Sequence, residues 1–317
     1  MHKNKISVAL CTYNGERYIR EQLNSIINQT LPPYELIISD DHSTDATLSV
    51  ITGVIAQVDF PVKVFIQNSN VGVNENFASA ISMCTGEYIA LADQDDVWHT
   101  EKLQRFSEEF SKFGESIPPL LYSDLKLIDG QGNTLRKRFS EAVRLDRAGG
   151  RLWLKLAFGN FIPGCSMVFD RRYVKDILPI PSEAILHDWW IALVISMTGG
   201  LHYIDSELMS YRIHRNNTQG MHSFKRTLKR ISKFGIFTIA SNNFLITLRQ
   251  LQTASNRLQQ HSIAGPAGLI DICKIRNRSR AVRPYVLFSL GIRRVSALLG
   301  SLLVRSGQFC DDSIGHQ

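Results

Sequence analysis

Two short acidic runs stand out in the chain: Asp40-Asp41 and Asp93-Gln94-Asp95-Asp96. Five carboxylates brought close together and left ionised repel one another strongly. A hard divalent cation resolves that repulsion, because magnesium or manganese takes one or two carboxylates, keeps waters, and shares the oxygens of a diphosphate. The Asp93-Gln94-Asp95 spacing suits this at a strand end, where alternate residues point the same way and both acids face one side. The competing reading makes Asp96 the cap of a helix beginning near residue 99 and leaves the others as solvated turn acids. Tyr13, in the polar turn Thr12-Tyr13-Asn14, offers a ring for stacking on a nucleobase, or else a half-exposed packing tyrosine. Asp41 could accept the imide N–H of uracil or thymine, or could serve an Asx turn leading into a helix cap at Ser43 or Thr44.

The elements that must position these groups follow from periodicity. Ile6–Leu10, Leu36–Ile38, Val62–Ile66 and Tyr88–Ala92 are short apolar runs bounded by turn formers, which predicts buried strands. Between and after them, residues 15–29, 45–57, Asn74–Cys84 and 99–113 carry helical spacing, with Ile19, Leu23, Ile26 and Ile27 sharing one face. Alternation of this kind predicts a doubly wound α/β domain with a mostly parallel sheet. Ligands in such sheets bind beyond the carboxyl ends of the strands. Thr12–Asn14, Asp40-Asp41 and Asp93–Asp96 all follow predicted strands, so they converge on one crevice. Neither GxGxxG nor GxxxxGK[ST] occurs, so neither a dinucleotide fingerprint nor a P-loop is present.

Composition sets the frame. The chain has 317 residues, 44% of them hydrophobic, with 36 Lys+Arg against 29 Asp+Glu. Residues 1–220 hold 21 basic and 26 acidic side chains, a net of −5, whereas residues 221–317 hold 15 basic and three acidic ones, a net of +12. The basicity therefore belongs to the last third. The five cysteines (11, 84, 165, 273 and 310) are scattered and never spaced as CxxC, which argues against a disulfide framework or a zinc site and fits a reducing compartment. The N-terminal apolar run is too short for a signal peptide, and the uncharged stretches fall short of a membrane span or carry Asn, His and Gly. A cytoplasmic protein is expected, peripheral to the inner face of the plasma membrane if the tail binds lipid.

Five segments together resemble the family 2 glycosyltransferases of GT-A fold. They are Val8–Asn14 (VALCTYN), Ile37–Asp45 (IISDDHSTD), Ala90–Trp98 (ALADQDDVW), His187–Trp190 (HDWW) and Tyr211–Asn217 (YRIHRNN). The DQDDVW and HDWW pair is similar to a bacterial subgroup described as rhamnosyltransferase-like. The resemblance runs over residues 5–220 and leaves 221–317 uncovered. It implies a GT-A catalytic domain over 1–220 that acts as an inverting hexosyltransferase with a Mg2+ or Mn2+ cofactor. Thr12, Tyr13, Asn14, Asp41, Asp93, Gln94 and Arg212 would bind the nucleoside diphosphate sugar, Tyr13 by stacking on the base, Asp41 at its imide and Asp93 at the ribose. Asp95 would bind the metal, and His214 would be a further metal ligand or a phosphate donor. Asp188 would be the general base, where many members have Glu-Asp in place of His187-Asp188. Asn160–Asp170 resembles the acceptor-side segment, with Gly164 allowing close backbone approach, and Trp189 and Trp190 would lie on the acceptor side, one of them in the core.

The resemblance further implies a saccharide or lipid-linked saccharide acceptor in bacterial surface polysaccharide synthesis, such as O-antigen or capsule. dTDP-rhamnose leads as donor, followed by a UDP-hexose or UDP-N-acetylhexosamine. A nucleotidyltransferase would require a Gly-rich, Arg/Lys-containing loop after the first strand, and Thr12-Tyr13-Asn14-Gly15-Glu16 is not one; a non-catalytic scaffold of the same fold is a third reading. In 221–317, Lys225 to Lys233 form a basic run and Tyr285–Val304 a strongly apolar one broken by Arg293 and Arg294. Such a mainly helical basic extension fits contact with a membrane surface, or packing on the catalytic domain or a second subunit. No nucleic-acid reader motif accompanies the charge.

Overall fold

The computed structural model describes residues 4–114, 118–142, 156, 160–214 and 249–260, all within the compact unit Met1–Ala267. The tail expectation, residues 249–260 apart, lies outside the described residues.

The strands are β1 (Ile6–Thr12), β2 (Glu35–Asp40), β3 (Val62–Ile66), β4 (Tyr88–Asp93), β5 (Val97–Trp98), β6 (Leu120–Ile128), β7 (Thr134–Arg138), β8 (Met167–Asp170) and β9 (Leu201–Arg212). They form one sheet in the order β3-β2-β1-β4-β8-β6-β9-β5, with β7 paired to β6. The pairs β3-β2, β2-β1, β1-β4 and β6-β9 are parallel, while β8 runs antiparallel to both β4 and β6. Six strands therefore share one direction, as a mostly parallel sheet requires.

Helices α1 (Ile19–Ile27), α2 (Thr47–Ile55), α3 (Val73–Met83) and α4 (Lys102–Phe110) fall where the periodicity places them. β1 and β2 are buried along their whole length, because helices cover both faces. Ile6, Val8, Leu10, Leu36, Ile38, Ala90 and Ala92 share a core with Ile19, Leu23 and Ile26 of α1, Ile51 of α2 and Leu103, Phe106 and Phe110 of α4. On the other face, Asn76 of α3 donates to the carbonyl of Ser39 and its side-chain oxygen accepts from the Ser39 hydroxyl. The helix His187–Thr198 is apolar nearly all round and packs beside α3. The helical residues 249–260 dock on the chain leading into it. There Gln250 accepts from the Ile185 N–H at 3.0 Å, and Arg257 donates to the carbonyls of Ile177 and Pro179 and lies over the Trp190 ring.

Register brings the polar strand ends into line: Thr12 sits opposite Asp40 and Cys11 opposite Asp93. On the far side, Val97 pairs with Ser210, which sets Asp96 beside the end of β9. The described cysteines 11, 84 and 165 are free and buried. Among the described residues, no helix is long and apolar enough to cross a membrane.

Candidate active site

The crevice begins at the end of β1. Tyr13 is 46% exposed, and its main chain is clamped by the Gln94 amide, which accepts from the Tyr13 N–H at 2.8 Å and donates to its carbonyl at 2.9 Å. Asn14 takes a left-handed backbone, φ 47°, a conformation asparagine tolerates because its short side chain bonds locally. Here it accepts from the Thr44 N–H at 2.8 Å, while its own N–H donates to Ser43. Thr12 is buried and its hydroxyl donates to Asp40 at 2.7 Å, so the structure gives that hydroxyl a supporting part beneath the turn. Asp40 also accepts from the Ser43 N–H and hydroxyl. Asp41, buried, accepts from the N–H groups of Val71 at 2.7 Å and Gly72 at 3.0 Å. That fixes its carboxylate and ties it to the loop entering α3.

Across from this wall, Asp95 and His214 meet directly, carboxylate oxygen to Nε2 at 2.7 Å, and the His214 ring leans on Tyr18 with centroids 5.0 Å apart. Arg212 holds the turn from behind. Its guanidinium donates to the Asp95 carbonyl at 2.8 Å, to the Asp129 carbonyl at 3.4 Å and to Glu21 at 2.6 Å, and it stacks on Tyr18. Its backbone N–H donates to Asp96 at 3.1 Å. Arg212 is 2% exposed, and these contacts tie it to the turn that carries Asp95 and Asp96. Asp96 is not a helix cap, a correction of that reading. α4 begins at Lys102 and is capped by no side chain, because β5 intervenes.

The electrostatics reflect crowding. Burial, and then the charges of Asp95 and Asp188, push Asp93 up to about 7. Burial, Asp95 and Asp93 push Asp96 well above the carboxylate range. Beside them the Cys165 thiol is raised by burial and then by Asp96 and Asp93, so it stays protonated and inert. Sequence reasoning missed Lys102. Fully buried at the start of α4, it donates to the Cys165 carbonyl at 2.6 Å and lies 3.7 Å from the centre of the Trp98 ring. Its place on the helical stripe with Leu103, Phe106 and Phe110 was the available signal.

Asp188 lies in the first turn of the helix His187–Thr198, and Leu186 occupies the cap position. Its carboxylate accepts from the N–H groups of Trp189 at 2.6 Å and Gly164 at 3.1 Å. Burial raises Asp188 to about 6, against the opposing pull of these bonds and of Asn160. His187 adds no charge to it. Burial lowers the imidazole to about 3, and the ring stacks on Phe77 at 3.8 Å. Gly164 is needed here, since a Cβ would stand 3.0 Å from His187 Nε2 and 3.2 Å from Asp188 Cβ. Of the paired tryptophans, Trp190 is fully buried and donates to the Ile177 carbonyl, which leaves it no face for a ligand. Trp189 is half-buried and donates to the Leu156 carbonyl.

Two groups of side chains in the crevice carry donors for a divalent ion. Ligand atoms of Asp93, Asp96 and Cys165 lie within 4.8 Å of one another, but a protonated soft thiol suits neither magnesium nor manganese. Asp95 with His214 fits better: an accessible carboxylate and an imidazole, already in contact, leave the other positions to water and a ligand's oxygens.

A doubly wound α/β sheet with an acidic crevice at its carboxyl edge serves many chemistries, and comparison with known proteins decides among them. The model of Glycosyl transferase family 2 matches residues 7–177, more than half of the chain, and the chain belongs to that family. Asp188, Arg212 and His214 lie beyond the match. A relative from Nostoc sp., an uncharacterized glycosyltransferase, is 31% identical over 218 residues, covering 67% of this chain and 66% of that protein. The dTDP-rhamnosyl transferase RfbG of Shigella flexneri is 29% identical over 238 residues, covering 70% of this chain and 78% of its own. This chain thus spans about two thirds of the Nostoc protein. Among solved structures, the mannosyltransferase PcManGT from Pyrobaculum calidifontis, in complex with GDP-Man and Mn2+, aligns with a TM-score of 0.53 at 16% identity, over 99% of this chain and 89% of its own. That likeness is one of fold, and the fold is GT-A.

Proposed function

We propose that the protein is an inverting, metal-dependent glycosyltransferase that moves a sugar from a nucleoside diphosphate to a saccharide or lipid-linked saccharide in bacterial surface polysaccharide synthesis. The observation that carries this reading is Asp188: a buried carboxylate held by two backbone N–H groups, pushed up to about 6, and close enough to Asp93 for its charge to be felt there. Such a group is ionised at neutral pH yet basic enough to take a proton. In the reaction, an acceptor hydroxyl attacks the anomeric carbon from the face opposite the diphosphate. Its proton passes to Asp188 as the bond to the diphosphate oxygen breaks. Tyr13 stacks on the base, Asp41 accepts its imide N–H, and Asp93 faces the ribose. Asp95 and His214 would hold the magnesium or manganese ion, whose chemistry there is to neutralise negative charge on the diphosphate.

RfbG, a dTDP-rhamnosyl transferase, supports dTDP-rhamnose as donor. Asp41 would serve uracil as well as thymine, which keeps a UDP-hexose or UDP-N-acetylhexosamine as the second reading. Thermal stabilisation by a panel of nucleotide sugars with Mn2+ distinguishes them, because the true donor stabilises the fold by mass action. Transfer or donor hydrolysis by wild type and Asp188→Asn then tests the base, and unaltered turnover in the variant overturns its assignment.

A further inference from the structure

The Asp95–His214 pair has a neighbour on α1. Tyr18 occupies the cap position of that helix, where its N–H donates to the Gly15 carbonyl at 3.0 Å and its own carbonyl accepts from the N–H groups of Glu21 and Gln22. The helix therefore fixes its Cα. Its half-buried ring meets the His214 imidazole, with centroids 5.0 Å and planes 35° apart, and the Arg212 guanidinium, 4.6 Å from the ring centre. The hydroxyl donates to the Gly130 carbonyl at 3.3 Å, longer than a good O–H···O bond. The ring, more than the hydroxyl, ties Tyr18 to its surroundings.

An imidazole ligates through a lone pair in the plane of its ring. A turn of that ring about its bond to Cβ takes Nε2 out of line even when the backbone stays put. The main chain before His214 is anchored, since the Ile213 N–H donates to the Ile128 carbonyl at 2.9 Å, but the plane of the ring is set by what packs on it. Tyr18 packs there. The turn between β6 and β7 closes the same corner, where a Cβ on Gly130 would stand 3.3 Å from the Tyr18 hydroxyl and 3.8 Å from His214 Cβ. The same phenol ring lies against Arg212, which donates to the Asp95 carbonyl. One side chain thus touches the histidine of the pair and the arginine bonded to the main chain of its carboxylate.

We infer that Tyr18 is a positioning residue of the candidate metal pair, its ring setting the plane in which His214 presents Nε2 beside Asp95. This rests on the reading in which Asp95 and His214 hold the ion. Groups that orient a ligating histidine typically contribute about 10–100-fold in metal affinity.

The test substitutes Tyr18 in the full chain and reads the ion itself. Mn2+ is titrated by the electron paramagnetic resonance of the free ion, with saturating UDP or dTDP present. Electron spin echo of the loaded protein then reports modulation from a coordinated histidine nitrogen. Tyr18→Phe, which keeps the ring, is expected to bind Mn2+ within about twofold of wild type and to show the same modulation. Tyr18→Leu, which has no flat face, is expected to bind about 10–100-fold more weakly and to lose most of the modulation at saturating Mn2+. Lost packing alone lowers the melting temperature and leaves the modulation intact, so the spectrum separates the two roles. Should Tyr18→Leu not fold, Tyr18→Met carries the same expectation. Wild-type modulation in Tyr18→Leu or Tyr18→Met, or a loss in Tyr18→Phe as large as theirs, overturns the role of Tyr18 and leaves the metal pair standing. Mn2+ bound to wild type without histidine modulation removes His214 as a ligand and this inference with it, while the transferase reading stands on Asp188→Asn. Absence of Mn2+ binding with either nucleotide overturns the metal-dependent reading as well.

Discussion

Replacing Arg212 with methionine separates support of the site from contact with its ligand. Methionine keeps most of the buried stem and loses every donor. The Glu21 partner is 55% exposed, so water takes over that ion pair at a cost below about 1 kcal/mol. The carbonyls of Asp95 and Asp129 lose their donors, and a buried group left unsatisfied costs about 1–3 kcal/mol. The lost stacking on Tyr18 adds about 0.5–1 kcal/mol. A destabilisation of about 2–4 kcal/mol follows, which lowers Tm by roughly 5–15 °C for a domain of this size. The functional effect falls on Asp95, whose carbonyl no longer anchors the turn. Groups that orient a metal ligand typically contribute about 10–100-fold in metal affinity. Activity measured against Mn2+ concentration, at saturating nucleotide sugar, should show half-saturation rising about tenfold or more. With excess metal, kcat should return to within about threefold of wild type, since the chemistry at Asp188 is untouched. An unchanged Mn2+ dependence together with a kcat loss of about a hundredfold would mean that the guanidinium touches the diphosphate, and the positioning argument would be wrong.

With Asp188 raised to about 6 and the proposed base acting as its carboxylate, kcat/KM should climb with pH through about 6 and level off above it. Asp188→Asn should abolish that limb with a loss of about 10²–10⁴-fold, and a limb that persists in the variant assigns the titration elsewhere. Gly164→Ala would push a methyl against His187 and Asp188 at 3.0 and 3.2 Å. Thermal melts should show a cost of about 1–3 kcal/mol, and kcat should drop about 10–100-fold as the base shifts; wild-type kcat would show that the helix absorbs the methyl. Trp190→Ala should cost about 3–5 kcal/mol as a core deletion. Trp189→Ala should leave donor KM unchanged and raise acceptor KM, and an effect on donor KM alone would move Trp189 off the acceptor side.

The parallel half of the sheet was legible because its strands are buried on both faces. Ile6–Leu10 and Leu36–Ile38 read as continuous apolar runs, and α1 carries its stripe of Ile19, Leu23 and Ile26 without interruption. The antiparallel insertion was not. β8 has four residues, and its pairing with β4 spans almost eighty positions of sequence. β9 mixes half-buried and buried positions without a period of two and has irregular register against β6. Within the site, acids in strand-end runs announced themselves, since five carboxylates fall in two short turns that follow predicted strands. What remained hidden was the support. The sequence YRIHRNN cannot tell whether Arg212 reaches a phosphate or the carbonyls of Asp95 and Asp129, a choice made by tertiary packing against Tyr18. Lys102 sits among the charged residues of α4 and reads as solvated, although its spacing from Phe106 and Phe110 puts it on the buried stripe.

Gln94 bonds Tyr13 entirely through its main chain, so the place of residue 13 does not depend on which ring it carries. The amide also fills the space that a side chain on Gly15 would need, and Asp95 follows next in sequence. The turn carrying Tyr13 and the turn carrying Asp95 are therefore tied together by one side chain. On the proposed reading, phenylalanine or tryptophan at position 13 would change the surface presented to a base without displacing Asp95. On that reading, single substitutions at position 13 would alter nucleobase preference while the rest of the crevice keeps its register.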